Sequence, residues 1–463
     1  MDIITLLKKI IPIAFSGAGV ALISFIFKAI SKRTNDEAKR VKDNHSKNTV
    51  RDINGDSNTV FNNGGDVIYY NANEDTSLLE NKYKDACSYI SVDREKALKK
   101  LEKFSGNISG DRDSKLFYLV HTKIGMIYGM NAIDKDKRYN CEMAIKFYED
   151  AFEKKEGIDP NIICNDYHDL GNIYCMLGET YNKEKNTLKA IEYYNKSLEI
   201  CKQINNKYAY GETLGCIGMA YRSLSIVKDK EKNLLYAIDC FEQGEKHCNK
   251  GEYYANLKHN QAITYIDLFK MNHDKIYLTK AREAFESALS VFYIETHPEK
   301  YAVLKSNMAN LYIYMYEYSK DKSYIDDSIQ CCEDALLVQT KERYPQGYAL
   351  CKRNLGNCFL YLFRVDGSKK DFEKSLDAYE EAVSVYSVRN EPLHYAYVQK
   401  SIGDLYSSLA NIEEQEKNLR KAISFYDQAL NIITLEKYPM DNIEVEKAKQ
   451  IVQMKLHLMK NAE

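Results

Sequence analysis

The sequence predicts an all-α fold, a superhelical solenoid of stacked helix pairs, and three regularities support this prediction. A small residue near the end of one apolar helix, a small residue at the start of the next helix, and a proline all recur about every 47 residues. Each helix pair leaves one apolar face open, so the next pair must cover it. We call the two helices of a pair helix A and helix B.

In helix A the small residue is followed three residues later by an aromatic residue in all seven units. It occurs at Gly125, Gly171, Gly218, Ala262, Ala309, Gly356 and Gly403. Helix B begins near Ala144, Ala190, Ala237, Ala281, Ser328, Ser375 and Ala422, and Ala97 keeps the same phase one unit earlier. Such residues allow helices A and B to cross closely, and the aromatic residue fills the gap beside the crossing.

Five of the six prolines share one phase of the repeat: Pro160, Pro298, Pro345, Pro392 and Pro439. Proline cannot continue a helix but is accepted in its first turn. Each of the five therefore marks the transition from one helix pair to the next.

The phrases DLGNIY and AIEYYNKSL, at residues 169–174 and 190–198, resemble the two helices of the tetratricopeptide repeat (TPR). The units here exceed the usual 34 residues by about 13. Together with the Pro-x-x-Tyr-Ala phrases at 298, 345 and 392, this length is similar to TPR arrays of bacterial proteins linked to caspase-like CHAT proteases and to defence or signalling. No segment remains for a protease, so the resemblance implies a partner or regulator.

The resemblance also implies a concave groove lined by residues three before and one after the small residue of helix A, which we call the groove positions. Partner-binding candidates there are His168, Asn172, His259, Asn310, Arg353, Asn357, Lys400 and Asp404. Asparagine can both donate to and accept from a peptide backbone. Arg353 and Asn357 resemble half of the carboxylate clamp of chaperone-binding TPRs. The alternative is that these are polar residues without a specific ligand.

Residues 10–27 carry no charge, and as a helix they would span roughly 27 Å, close to the thickness of a bilayer core. The heavier basic flank lies on the C-terminal side, which predicts a single-pass anchor with the bulk of the chain in the cytoplasm. Ala14, Gly17 and Ala21 share one face and favour self-association. A signal peptide and an interfacial or buried helix are the alternatives.

Residues 48–67, NTVRDINGDSNTVFNNGGDV, repeat one ten-residue phrase. Their apolar residues include Val50, Ile53, Val60 and Val67, and the Asn-Gly-Asp and Gly-Gly-Asp triplets favour turns. The pattern predicts a strand, a turn and a strand in each copy. Three outcomes remain open: a disordered spacer, β elements that pair between chains, or docking on the first helical unit.

The predicted layout follows the order of these segments. It comprises a transmembrane helix at 1–31, a juxtamembrane connector at 32–47, the duplicated β-like segment at 48–75, the TPR-like solenoid at 76–441 and a capping helix at 442–463.

Composition disfavours several function classes. Lys and Arg total 65 against 67 Asp and Glu, without the basic excess of nucleic-acid binders. The 12 cysteines form no Cys-x-x-Cys pair, which predicts small buried apolar residues in a reducing compartment. No motif for catalysis, a cofactor or a metal is present, so we expect no enzyme activity and no cofactor.

The leading functional prediction is a membrane-anchored cytoplasmic scaffold that binds a protein or peptide and forms a homo-oligomer. A second prediction is a membrane-disrupting or pore-forming effector of a bacterial antiphage defence system, with the solenoid as its sensor. A third is a soluble regulator whose apolar N-terminus is buried in its own oligomer.

Overall fold

The computed structural model describes residues 58–63, 66–71, 74–106, 108 and 113–460. The predicted anchor at 10–27, with Ala14, Gly17 and Ala21, lies outside these residues, as do Val50 and Ile53. Within the described part of the chain, no helix has the length and apolar character needed to cross a membrane.

The chain divides into two compact units, whose described parts are residues 58–264 and 265–460. The repeat pattern of the sequence does not predict this division. The first unit contains two strands and eight complete helices among its described residues. They are β1 (Asn58–Asn63), β2 (Asp66–Asn71), α1 (Glu74–Ser88), α2 (Arg94–Ser105), α3 (Ser114–Asp134), α4 (Lys137–Phe152), α5 (Pro160–Thr180), α6 (Lys183–Gln203), α7 (Lys207–Leu224) and α8 (Lys230–Glu245).

The boundary between the two units falls inside the next helix, α9 (Glu252–Asn272). The second unit continues with α10 (Lys275–Leu289), α11 (Pro298–Ser319), α12 (Ser323–Leu336), α13 (Pro345–Asp366), α14 (Lys369–Val383), α15 (Pro392–Leu409), α16 (Gln415–Leu430) and α17 (Pro439–Lys460). Odd-numbered helices are helices A and even-numbered helices are helices B. The last helix starts at Pro439, at the phase of a helix A.

The strands β1 and β2 form one antiparallel hairpin, with Asn58 opposite Asn71 and Asn63 opposite Asp66. The hairpin uses the second copy of the duplicated phrase and extends past it to Asn71, rather than closing within the copy. The first copy lies outside the described residues. Val60 and Val67 lie on β1 and β2, opposite Tyr69 and Asn62.

The five prolines are each the first residue of a helix A, namely α5, α11, α13, α15 and α17. Proline fits there because the first-turn N–H groups have no partner within the helix. The predicted transition between helix pairs is confirmed at all five positions.

The glycine of helix A lies directly under an aromatic ring of helix B. A Cβ atom at Gly171 would lie 2.5 Å from the Tyr194 ring, and one at Gly356 would lie 2.5 Å from the Tyr379 ring. The other such pairs are Gly125 with Tyr148, Gly218 with Phe241, and Gly403 with Tyr426. Glycine is therefore required at these crossings because no side chain fits beneath the ring.

Two different connections lead from helix A to helix B. In one type the helix B N-cap is left-handed, with φ near 40° at Asp136, Asn182, Asp229 and Glu414. Four residues later a buried asparagine donates its side-chain amide to the carbonyl five residues before it, over 2.6–2.8 Å. These asparagines are Asn140, Asn186, Asn233 and Asn418. In the second unit Asp321 and Asp366 instead accept backbone N–H bonds at the turn.

In the second unit, side-chain bonds also join the start of helix A to the end of helix B. We call each such set of bonds a seam. The Tyr301 hydroxyl donates to Asp334, and Lys305 forms an ion pair with the same carboxylate at 2.8 Å. Tyr348, Lys352 and Glu381 repeat this arrangement one unit later.

The following unit carries a neutral version of the seam. Tyr395 donates to Gln428 at 3.4 Å, and Gln399 stands where the lysine would be. The cation and the carboxylate are thus both replaced by amides in the same unit, so neither charge remains without its partner.

All twelve cysteines carry free thiols, and nine of them are buried. The prediction of small buried residues is therefore confirmed for most of them. Cys164 and Cys201 differ from the rest, because their sulfur atoms contact each other at 2.7 Å.

Candidate partner-binding surface

The groove positions one residue after the glycine face helix B and bind its tyrosine. Asn172 Oδ1 accepts a hydrogen bond from the Tyr194 hydroxyl at 2.7 Å, and Asn172 is only 4% exposed. Asn357 accepts from Tyr379 at 2.7 Å. These two asparagines therefore hold a helix pair together, because their acceptor oxygens are already occupied inside the repeat.

Asp404 occupies the same position in α15 and accepts from the Tyr426 hydroxyl at 2.6 Å. Burial first, and then the Asp404 charge and hydrogen bond, raise the pKa of Tyr426 above its ordinary value. The phenol consequently stays protonated and keeps donating to the carboxylate at neutral pH.

The groove positions three residues before the small residue contact the next helix A. His168 in α5 lies with Nδ1 3.0 Å from Thr213 Oγ1 and Nε2 3.7 Å from Cys216 Sγ, both on α7. Ser306, at the same position in α11, lies 3.0 Å from Cys351 Sγ on α13. These side chains link neighbouring repeats within each unit.

Lys400 also contacts the next helix A, and it does so through ion pairs. Its Nζ lies 2.8 Å from Glu444 on α17 and 3.2 Å from Asp404 on its own helix. Burial alone would lower the pKa of Lys400, but the two carboxylates outweigh burial and hold that pKa above its ordinary value. Lys400 is therefore a neutralised link between α15 and α17.

The other three candidates are His259, Asn310 and Arg353. His259 is half-buried in α9. Asn310 in α11 is half-buried, and residue 332, which corresponds to the tyrosine of the other repeats, is a cysteine. Within the described part of the chain, the Asn310 side chain makes no hydrogen bond and the Arg353 guanidinium makes no hydrogen bond or ion pair.

Arg353 in α13 is the cation at these positions that no described carboxylate neutralises. It is half-buried, and its charge acts on two tyrosines of the second unit. Burial raises the pKa values of Tyr386 and Tyr397, and the Arg353 charge opposes the rise at both. The Tyr397 hydroxyl donates to Asp441. The Asp441 carboxylate is therefore bound by a tyrosine near Arg353 and not by Arg353 itself.

The repeat pattern predicts Arg353 and Asn310 as candidates, but it does not by itself predict the tyrosine partners of Asn172, Asn357 and Asp404. Each partner lies 22 residues later in the chain, on helix B. A comparison of the repeats at this spacing would have found them.

Among the described residues, no group of three or more His, Cys, Asp or Glu side chains is arranged to hold a metal ion. The predicted self-association residues Val60 and Val67 lie on paired strands of a single chain, and pairing between chains stays a prediction.

Residues 171–204 and 401–433 match the family model described as tetratricopeptide repeat. The first segment starts at Gly171 and covers α6, and the second covers Gly403 and α16. No significant match was found among curated proteins.

Several solved structures are similar to the chain. The C-terminal part of a TPR repeat-containing protein from Cytophaga hutchinsonii is 14% identical, with 67% of this chain and 94% of that chain covered and a TM-score of 0.41. A STAND protein (signal transduction ATPase with numerous domains) with a tetratricopeptide repeat sensor, from Pyrococcus horikoshii, is 16% identical, with 85% and 59% covered and a TM-score of 0.44. A Rap protein complexed with competence and sporulation factor is 15% identical, with 93% and 99% covered and a TM-score of 0.38.

The repeat period, the helix A and helix B crossings and the two matched segments agree with one another. The described helices are therefore tetratricopeptide-like helix pairs, and the β1–β2 hairpin precedes them along the chain.

Proposed function

We propose that the chain is a scaffold whose second unit binds an acidic segment of a partner protein at Arg353. The observation that carries this proposal is a half-buried guanidinium without a carboxylate partner among the described residues. A partly desolvated cation is costly unless an anion compensates it. Three half-buried lysines on helices A of this unit each have a carboxylate partner. They are Lys305, Lys352 and Lys400.

The surroundings of Arg353 favour a carboxylate as the ligand. Its planar guanidinium presents several donors that match the two oxygens of a carboxylate. Asn310, on the neighbouring helix A, has an amide with free donors and a free acceptor within the described part of the chain. An acidic side chain or a C-terminal carboxylate at Arg353, with its backbone near Asn310, would use both residues.

The test uses defined peptides and the full chain. We compare two pools of fluorescein-labelled random decapeptides by fluorescence anisotropy. One pool has two Asp or Glu residues and a free C-terminus. The other has Asn or Gln in their place and an amidated C-terminus. We expect the acidic pool to bind at least about ten-fold more tightly, a difference of roughly 1.4 kcal/mol. We expect Arg353→Glu to abolish that preference and Asn310→Ala to weaken it.

Arg389→Glu is the matched control, because it makes the same charge change at an exposed turn between α14 and α15. If Arg353→Glu and Arg389→Glu weaken binding equally, the effect comes from net charge and the proposed site is wrong. Equal binding of both peptide pools by the unmodified chain would also reject the acidic ligand.

We further propose that residues 10–27 anchor the scaffold in a membrane and that chains associate there. The support is the uncharged 18-residue run and the small residues Ala14, Gly17 and Ala21 on one face. Membrane fractionation with and without residues 1–31 tests the anchor. Release of dye from vesicles that depends on the same residues would favour the membrane-disrupting effector over the scaffold.

A further inference from the structure

We propose that Cys164 and Cys201 form a reversible disulfide that cross-links the two helices of one repeat. Cys164 lies in the second turn of α5, a helix A, and Cys201 lies in the last turn of its helix B, α6. Their sulfur atoms are 2.7 Å apart. Formation of a bond would shorten that distance by only about 0.7 Å, to the length of a disulfide.

Ser197 aligns the two helices beside this pair. Its hydroxyl donates to the Cys164 carbonyl at 2.9 Å, and Cys164 Sγ lies 3.3 Å from Ser197 Oγ and 3.5 Å from Ser197 O. Ser197 is one turn before Cys201 on α6 and is fully buried. The sulfur contact is thus supported by an independent set of bonds between the same two helices.

The two thiols have unequal acidities. The contact with Cys201, together with that with Ser197, lowers the pKa of Cys164 below its ordinary value, although burial opposes the shift. The same contact raises the pKa of Cys201. In this proposal Cys164 is the nucleophile, because its sulfur also lies 3.3 Å from the Ser197 hydroxyl oxygen, and Cys201 is the resolving thiol. Two thiols alone are too few for a structural zinc site, which takes four ligands.

The oxidant is a peroxide, and the reaction balances in two steps. Cys164 loses its proton to water, its thiolate attacks one oxygen of hydrogen peroxide, and the O–O bond breaks to give a sulfenic acid. The hydroxide that leaves takes up the released proton and becomes the first water. The Cys201 sulfur then attacks the Cys164 sulfur, its proton is taken up by the departing oxygen, and water leaves. Overall two thiols lose two electrons and one peroxide is reduced to two waters.

Both cysteines are buried, at 2% and 1% exposure, so peroxide reaches them when the helix ends open locally. The two cysteines lie close to the surface along their helices, because Asn161 and Asn165 on α5 and Lys202 on α6 are exposed. The cross-link would hold α5 against α6 beside His168, the residue that contacts the next helix A.

The experiment treats the folded full-length chain with a small excess of hydrogen peroxide, then denatures it in alkylating reagent and maps the cysteines by mass spectrometry. We expect a linked Cys164–Cys201 peptide at least ten-fold more abundant than any other linked pair. Cys351 and Cys358 are internal controls, because they are equally buried but their sulfurs contact Ser306 and Ser328. We also expect Tm to rise on oxidation and to return when a thiol reductant is added.

The variant Cys201→Ser should leave Cys164 oxidised without a cross-link, and Ser at this site keeps a group of similar size. The inference is overturned if Cys164 and Cys201 are both recovered alkylated, or if other pairs link as readily as this one. Because the cross-link is read in the unmodified chain, the result does not depend on whether a variant folds.

Discussion

The Tyr194 hydroxyl donates a 2.7 Å hydrogen bond to Asn172 Oδ1 across the two helices of one repeat. The same bond joins Tyr379 to Asn357 and, with a carboxylate as acceptor, Tyr426 to Asp404. The tyrosine ring also covers the glycine that precedes the acceptor. One aromatic residue therefore fills the helix crossing and satisfies a buried polar group.

Asn172→Ala should destabilise the first unit, because it leaves the buried Tyr194 hydroxyl with only the weak acceptor Cys175 Sγ, 3.7 Å away. We expect a loss of about 1–3 kcal/mol in the free energy of unfolding, measured by urea denaturation. The double variant with Tyr194→Phe should cost less than the sum of the single variants. Asn310→Ala is the control and should stay within about 0.5 kcal/mol, since Asn310 has no such bond in the described structure.

Gly171→Ala should also destabilise the fold, because its Cβ would lie 2.5 Å from the Tyr194 ring. We expect a cost of roughly 1–3 kcal/mol, typical of overpacked interiors. Gly106→Ala is the matched control, because its Cβ would have no neighbour closer than 3.8 Å and its φ is −63°. A loss of the same size at Gly106 would contradict the role of the ring.

The charged seams should differ in strength according to their exposure. Asp334 and Lys305 are 21% and 19% exposed, whereas Glu381 is 45% exposed. We expect Asp334→Asn to cost about 1.5–3 kcal/mol, as for a hydrogen bond to a charged group. Glu381→Gln should cost only about 0.2–1 kcal/mol, as for a surface pair. Equal losses in chemical denaturation would show that burial does not set the strength of these seams.

His121 should make the first unit less stable in mild acid. It is 6% exposed beside Phe117 and Phe147, and a hydrogen bond joins its Nε2 to Ser105. Burial lowers the pKa of His121 below its ordinary value, and Lys146 adds to this, while Asp150 opposes it.

The neutral imidazole is thus favoured by folding, and the unfolded chain binds the proton more readily. The stabilisation is present above pH 6.5 and is lost as the pH falls from there toward the lowered pKa. Between pH 7.5 and 5.5 we expect a loss of up to about 1 kcal/mol. His121→Phe should flatten this dependence relative to the unmodified chain, and an unchanged slope would exclude His121 as its source.

The sequence predicted the starts of several helices A well, because they depend on local chemistry. Helix B was placed less well, since it begins at Lys137 and Lys183 and not near Ala144 and Ala190. Proline can occupy the first turn of a helix but not its middle, so Pro298 and Pro345 mark helix starts wherever the chain folds. Gly356 likewise marks a close crossing. The division inside α9 was not predicted, because the sequence there continues one helix without interruption.

The groove positions were predicted less well, because the resemblance specifies a position and not the group opposite it. Asn172 was expected to face a ligand but faces Tyr194. The sequence contains a sign of this pairing. In α7 the groove position is Met219, which cannot accept a hydrogen bond well, and the residue 22 positions later is Phe241, which has no hydroxyl to donate. Met126 beside Tyr148 shows that this correspondence is incomplete.

The spacing of these bonds has a consequence for folding kinetics. Many hydrogen bonds between helices join residues 19 to 48 positions apart, as in Ser375 to Gly356 and Tyr118 to Asp166. Loops of this size close at little entropic cost, and proteins rich in local contacts fold quickly. Within each unit any helix pair can therefore serve as the folding nucleus, and growth can proceed from it in either direction along the chain.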